Sequence, residues 1–177
     1  MISATKTLNL EQLAQGLDGI TPRAGGSLAE ACAVCMETKG HTPGVQLKVY
    51  GTWDDTFFLK WRAATEQARR SWNDLPFAAE QGGYGLAILL IRELVGLGAI
   101  ERSRKGTGFD YWLGEKDKQP FQNKARLEVT GTIDSSVSQV DYKGKKKLKQ
   151  TNRSDGEFPA YVVVVEYSLP LSKVVKK

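Results

Sequence analysis

The sequence predicts an α/β fold in which a mixed sheet is covered by helices. From Phe77 onward the hydrophobic period gives the order helix, strand, strand, strand, helix, strand. The last of these, PAYVVVVEYS, is a near-continuous β-branched run, which needs cover on both faces. The length of 177 residues, with 41% hydrophobic and 25% charged side chains, suits one domain with its own core. Residues 1–76 read as an N-terminal extension, mostly helical with one strand. It packs on an α/β unit over 77–177, and the two form one compact domain.

The extension opens with a polar start and a Gly/Pro loop, GITPRAGG, through residue 26. Ser27 is the expected N-cap of a first helix, with Glu30 completing a capping box. That helix carries Leu28, Ala31, Cys32 and Cys35 on one apolar stripe and ends near Gly40. HTPG breaks the chain before VQLKVYG, an alternating strand. Asp54 or Asp55 then caps a second helix reaching Trp72, although TFFLKW also fits a strand. Pro76 closes the segment.

In the α/β unit, residues 77–98 return to helical spacing, with Leu86, Leu89, Leu90 and Leu94 on a broad face. Gly82, Gly83 and Gly85 suit a helix interior poorly and allow close approach of a strand or a phosphate. AIERS, GFDYWLGE and ARLEVTGTI are three short strands. Residues 135–151 are helical, with Val137, Val140, Gly144 and Leu148 as the buried stripe. LPLSKVVKK reads as a loose tail.

Several function classes fall away. No apolar run reaches the ~20 residues of a membrane span, because Arg92 and Glu93 interrupt LAILLIRELVGLGAI. MISATKTLNLEQLAQ lacks a signal-peptide core, and two cysteines make no disulfide framework, so a reducing cytoplasm is expected. Cys32, Cys35 and His41 are three ligands where zinc takes four, and the cysteines fit the buried stripe instead. A single histidine with no nucleophile beside it argues against Ser-His-Asp or Cys-His chemistry. GGYG and KGTG lack the spacing of a phosphate loop.

One constellation carries chemistry. Asp110 in GFDYWLG and Glu128 in KARLEVTG sit in two strand-like runs flanking the polar loop KDKQP. Paired as an antiparallel hairpin centred on Gln119, they face each other at roughly 5 Å between Cβ atoms. Two acids so close repel unless a cation or a proton lies between them. Alternation puts Lys124, Arg126, Glu128 and Thr130 on one face of the third strand, and Ala125, Leu127 and Val129 on the core face. A carboxylate pair at this position suits Mg²⁺ or Mn²⁺. The net charge of +5 is unevenly spread: KGKKKLKQTNR, residues 143–153, carries six basic residues and no acid, a polyphosphate-binding pattern.

The element order, with an acid on the second strand and an acid on the third, resembles the PD-(D/E)XK nuclease superfamily, the restriction-endonuclease-like fold. The resemblance covers roughly residues 77–168. It implies an αβββαβ core and metal-dependent cleavage of phosphodiester bonds in DNA or RNA. By that resemblance Asp110 and Glu128 take the places of the two metal-holding acids, and Glu80, preferred over Glu93, that of the helix acid. Phe109 stands where the family has Pro, and Thr130 stands where it has the Lys that activates water. Lys124 or Arg126 on the same strand face would replace that Lys, or Lys147 with Gln150 from the following helix, which is the preferred reading. Arg102, Arg104, Lys105, Lys124, Arg126, Lys143, Lys145 and Lys146 would carry the sugar-phosphate backbone. Glu166, an acid inside an apolar strand, is expected against a base or at the strand end. The alternative is a catalytically inactive module of this fold that binds nucleic acid or a protein partner. A homo-oligomer fits either reading, as does an N-terminal half whose aromatics pack on a partner.

Overall fold

Eight strands form a single mixed sheet that takes in both halves of the chain. The computed structural model describes residues 6–156 and 158–177. The first five residues of the polar start lie outside this description.

The elements in chain order are β1 (Thr7–Asn9), α1 (Glu11–Ala14), α2 (Pro22–Thr38), β2 (Val45–Gly51), β3 (Asp55–Lys60), α3 (Glu66–Ser71) and α4 (Leu75–Val95). Then follow β4 (Leu97–Arg102), β5 (Tyr111–Glu115), β6 (Ala125–Thr132), α5 (Val137–Gln150), β7 (Ala160–Glu166) and β8 (Leu171–Lys176). A 3-10 turn, Thr151–Ser154, extends α5.

The strand order is β1-β3-β2-β8-β7-β6-β5-β4. β4, β5 and β6 are an antiparallel meander, and α5 is the crossover that lets β7 lie parallel to β6. β8 runs antiparallel to β7 and parallel to β2, joining the N-terminal strands to the rest. Every residue of β7 is buried, as its β-branched composition requires.

Two glycines set the depth at which α4 sits. A Cβ on Gly131 of β6 would lie 1.8 Å from the Ala79 carbonyl oxygen, and one on Gly82 would lie 2.6 Å from the Cys32 backbone. Glycine there lets α4 press against β6 on one side and α2 on the other. Tyr167, fully buried, donates its hydroxyl to Ala79 O at 2.9 Å and fixes the same turn.

The structure departs from the sequence reading in five places. First, α2 starts at Pro22, capped by the Thr21 hydroxyl, which accepts from Ala24 N, so Ser27 and Glu30 lie inside it. Proline at the first helical position costs no hydrogen bond, and GITPRAGG is a helix start rather than a loop. Second, of the two readings of TFFLKW the strand holds: Asp55 opens β3 instead of capping a helix, and the helix after it is only six residues long, so the extension contains three strands among the described residues. Third, Pro76 falls in the first turn of α4, with Asp74 as N-cap, and therefore begins an element. Fourth, Val137 is 48% exposed because it opens α5 before the helix reaches the sheet, whereas Val140 and Gly144 are buried. Fifth, the tail is strand β8. A central strand needs both edges hydrogen-bonded, and β8 supplies the second edge of β7. Among the described residues no helix is long and apolar enough to cross a membrane.

Candidate functional site

The β5–β6 register sets the two acids face to face. Tyr111 pairs with Leu127, Trp112 with Arg126 and Leu113 with Ala125, so one step outward brings Asp110 opposite Glu128. Asp110 N donates to Leu127 O at 2.7 Å. Its carboxylate folds back onto β6, where Oδ2 accepts from Val129 N at 2.8 Å. The approach to Asp110 is fixed by Gly108, whose φ is +85° and where a Cβ would fall 2.4 Å from Gln150 O. The β4–β5 loop is thereby seated on the C-terminal end of α5.

Glu128 is 2% exposed. Its Oε1 accepts from Lys147 Nζ at 2.5 Å and from Gln150 Nε2 at 3.0 Å. Lys147 and Gln150 are three apart on α5, so one helix face delivers both donors. Burial, and next the charge of Asp110, push the Glu128 carboxyl up to about 7, against the opposing pull of Lys147. No donor among the described residues reaches Oε2.

Glu80 approaches from α4 through Tyr84, one turn later on the same helix. The Tyr84 hydroxyl lies 3.1 Å from Glu80 Oε1 and 3.3 Å from Asp110 Oδ1, and Arg102 Nη2 donates to it at 3.3 Å. Arg102 also reaches Asp110 Oδ1 at 3.3 Å. Its guanidinium lies 4.5 Å from the Tyr84 ring centre and 4.8 Å from that of Tyr111. Burial raises the Tyr84 phenol above its ordinary range, so its proton stays available for donation.

These groups line a hollow of about 460 Å³ together with Ser103, Arg104, Lys105, Gln150 and Arg153. Glu80, Asp110 and Glu128 therefore share one concavity, as do Arg102, Arg104 and Lys105. Lys147 contributes through its bond to Glu128.

Other expected contacts lie elsewhere. Arg126, expected among the phosphate-facing side chains, is 3% exposed. It donates to Thr151 O, Ser154 Oγ and Phe158 O and pairs with Asp155 at 3.3 Å. Its burial and these backbone partners make it a structural cation, next to the edge-to-face pair of Trp112 and Phe158, whose ring centres lie 5.6 Å apart. Lys124 sits at the hairpin loop beside Gln119 and Pro120, away from the acids. Lys143 bonds Thr132 Oγ1 at 2.7 Å, toward the far end of β6, while Lys145 and Lys146 are exposed on α5. Glu166 lies at the end of β7, where it accepts from Ser135 N and Leu169 N rather than from a base. Cys32 and Cys35 are fully buried in the core, and His41 Nε2 contacts Tyr167 O at 2.9 Å.

Tyr84 and Arg153 are site residues that the sequence reading did not single out. Tyr84 stands four positions after Glu80 in QGGYG, the spacing of one helical turn. Arg153 closes the basic run and lies in the 3-10 turn, which places it at the mouth.

Two facing carboxylates with an unclaimed oxygen fit a hard divalent cation that keeps several waters. Among the described residues no group of three or more His, Cys, Asp and Glu is gathered to hold a metal ion, so Glu80 stands one hydrogen bond back from the pair. Comparison of the chain with protein-family models, with curated proteins and with solved structures finds no match in any of the three.

Proposed function

We propose that the protein is a metal-dependent phosphodiesterase acting on nucleic acid, built on a restriction-endonuclease-like core. The observation that carries the reading is the opposition of Asp110 and Glu128 across β5 and β6, inside a hollow ringed by arginine and lysine. The αβββαβ order from α4 to β7 supports it, as does the parallel β6–β7 pair with α5 as its crossover.

Asp110 and Glu128 would hold Mg²⁺ or Mn²⁺, and a bound ion of this kind polarises the scissile phosphate and lowers the pKa of water. Lys147 holds Glu128 in place and sets its charge. It stands in for the lysine that Thr130 lacks, from a helix instead of a strand. Gln150 shares Glu128 Oε1 and orients it. Glu80 and Tyr84 fix Asp110 from the α4 side and offer a proton path at the Tyr84 hydroxyl. Arg104, Lys105 and Arg153 bring a polyanion to the mouth. The test is cleavage of plasmid and single-stranded substrates with Mg²⁺ or Mn²⁺. Activity surviving in both Asp110→Ala and Glu128→Ala would remove these residues from the chemistry.

A second reading rests on a specific observation. Each acid already has a cation, Arg102 for Asp110 and Lys147 for Glu128, at 3.3 and 2.5 Å. With Thr130 in the strand, a binding module that has lost its metal fits this charge balance. Salt-dependent nucleic-acid binding without any uptake of Mg²⁺ or Mn²⁺ identifies it.

A further inference from the structure

A second hollow opens on the other side of Arg102. It measures about 360 Å³, and it shares Tyr84 and Arg102 with the acid-lined hollow. Ile20, Ala24 and Leu28 form its wall on the α2 side, and Tyr111 on the sheet side. Two neutral polar side chains, Ser27 and Gln81, complete it. Neither makes a side-chain hydrogen bond to another described residue, so both have donors and acceptors free. No acid lines this second space, whereas the first contains three.

We infer that this hollow receives one unpaired nucleobase next to the scissile phosphate, so that the substrate is single-stranded nucleic acid or a frayed end. The inference rests on the nuclease reading for what happens in the first hollow, but not for the second. A concave space that sets aliphatic and aromatic side chains beside a few convergent polar groups is a usual form of a small-ring site, and here the polar and apolar parts of the lining are about equal. Arg102 is the hinge of the argument. Its guanidinium is held over the Tyr84 and Tyr111 rings and its side chain is half exposed, which leaves a flat cationic face for a base to stack on. The Gln81 amide offers a donor and an acceptor to a base edge, and such groups read a Watson–Crick edge only when it is unpaired. Arg104, Lys105 and Arg153, at the mouth of the first hollow, give the adjoining phosphates a basic track. A base inside a duplex is stacked on both faces and cannot enter.

The experiment measures binding in EDTA, so cleavage plays no part. Fluorescein-labelled 12-mers of one mixed sequence are titrated as single-stranded DNA, single-stranded RNA and duplex DNA at fixed salt. The variants are Ala24→Trp, which fills the hollow from an exposed helix position, and Gln81→Ala. Thermal melts confirm that each is folded. The expected result is a preference for at least one single strand over duplex. Ala24→Trp should weaken single-strand binding by about tenfold, the scale of one lost stacking contact, with duplex binding changed less than about twofold. Titrated in addition against single-stranded homopolymers of each of the four bases, the unaltered protein should discriminate among them and Gln81→Ala should level the affinities; unchanged discrimination would overturn the role of Gln81. Equal binding of single strand and duplex overturns the inference, as does single-strand binding unmoved by Ala24→Trp, or no binding of any nucleic acid. Binding as expected, but without cleavage when Mg²⁺ is added, would refute the catalytic reading and leave this one standing.

Discussion

Lys147 and Glu128, nineteen positions apart, meet at 2.5 Å where α5 crosses the sheet. The acid is almost fully buried and its oxygen is shared with Gln150. A buried carboxylate needs a compensating charge or a proton, and here Lys147 is the only cation that reaches it among the described residues. Replacing Lys147 with methionine removes the charge and keeps the stem. At pH 8 the variant should lose about 2 to 3 kcal/mol of stability in urea unfolding. At pH 5, where Glu128 is protonated in both proteins, the loss should shrink toward the ~1 kcal/mol of a neutral hydrogen bond. A loss independent of pH would contradict this role.

The Glu128 carboxyl has its own pH signature. Its pKa is near 7 in the folded protein and 4.5 is its ordinary value, so between these limits the folded state holds a proton that the unfolded state has released. Stability from this group is complete below about pH 4.5 and declines as pH rises through 7, by roughly 3 kcal/mol. In metal-free buffer Glu128→Gln should flatten the curve over that window. Melting curves of the two proteins from pH 4 to 8 make the comparison, and parallel curves would refute the shift.

Gly131 ties the site to the fold. A methyl there would strike the Ala79 carbonyl, displacing α4 and with it Glu80 and Tyr84. Gly131→Ala should cost about 3 kcal/mol or more, above the usual penalty of one added methyl in a core. Gly156→Ala, with open space around the position, serves as the neutral control. Equal melting temperatures for the two variants would show that α4 is free to shift.

The basic side chains divide into two kinds, and salt separates them. Arg126→Ala should destabilise the protein by about 2 to 4 kcal/mol, because the Thr151 and Phe158 carbonyls lose their donor, whereas Asp155 keeps Lys177. Lys105→Ala and Arg153→Ala should leave stability alone, and each should lower the slope of log affinity against log salt by about 1. A slope unaffected by both would place the polyanion elsewhere.

The strand pattern and register from 97 to 132 were readable because alternation and a single polar loop fix them. Asp110 and Glu128 could be paired from their positions about Gln119 alone, and α5 delivers Lys147 and Gln150 as one helix face. What escaped depends on contacts made across the sheet. Arg126 alternates with Leu127 like a surface residue, yet the 3-10 turn and Phe158 fold over it from 25 and 32 positions away. The tail LPLSKVVKK lacks the sustained alternation that announces a strand, and takes that form because β7 and β2 both require a neighbour. Tyr84 reads as one more aromatic in a buried helix until β5 brings Asp110 within reach of its hydroxyl.

Calorimetric titration of Mn²⁺ at pH 8 into the unaltered protein and into the Asp110→Asn/Glu128→Gln double variant bears most directly on the paired acids. One ion bound per chain, lost in the double variant while a cooperative melt shows it folded, is the expected result. The same isotherm from both proteins, or no binding heat from the unaltered one, would contradict a metal centre between β5 and β6.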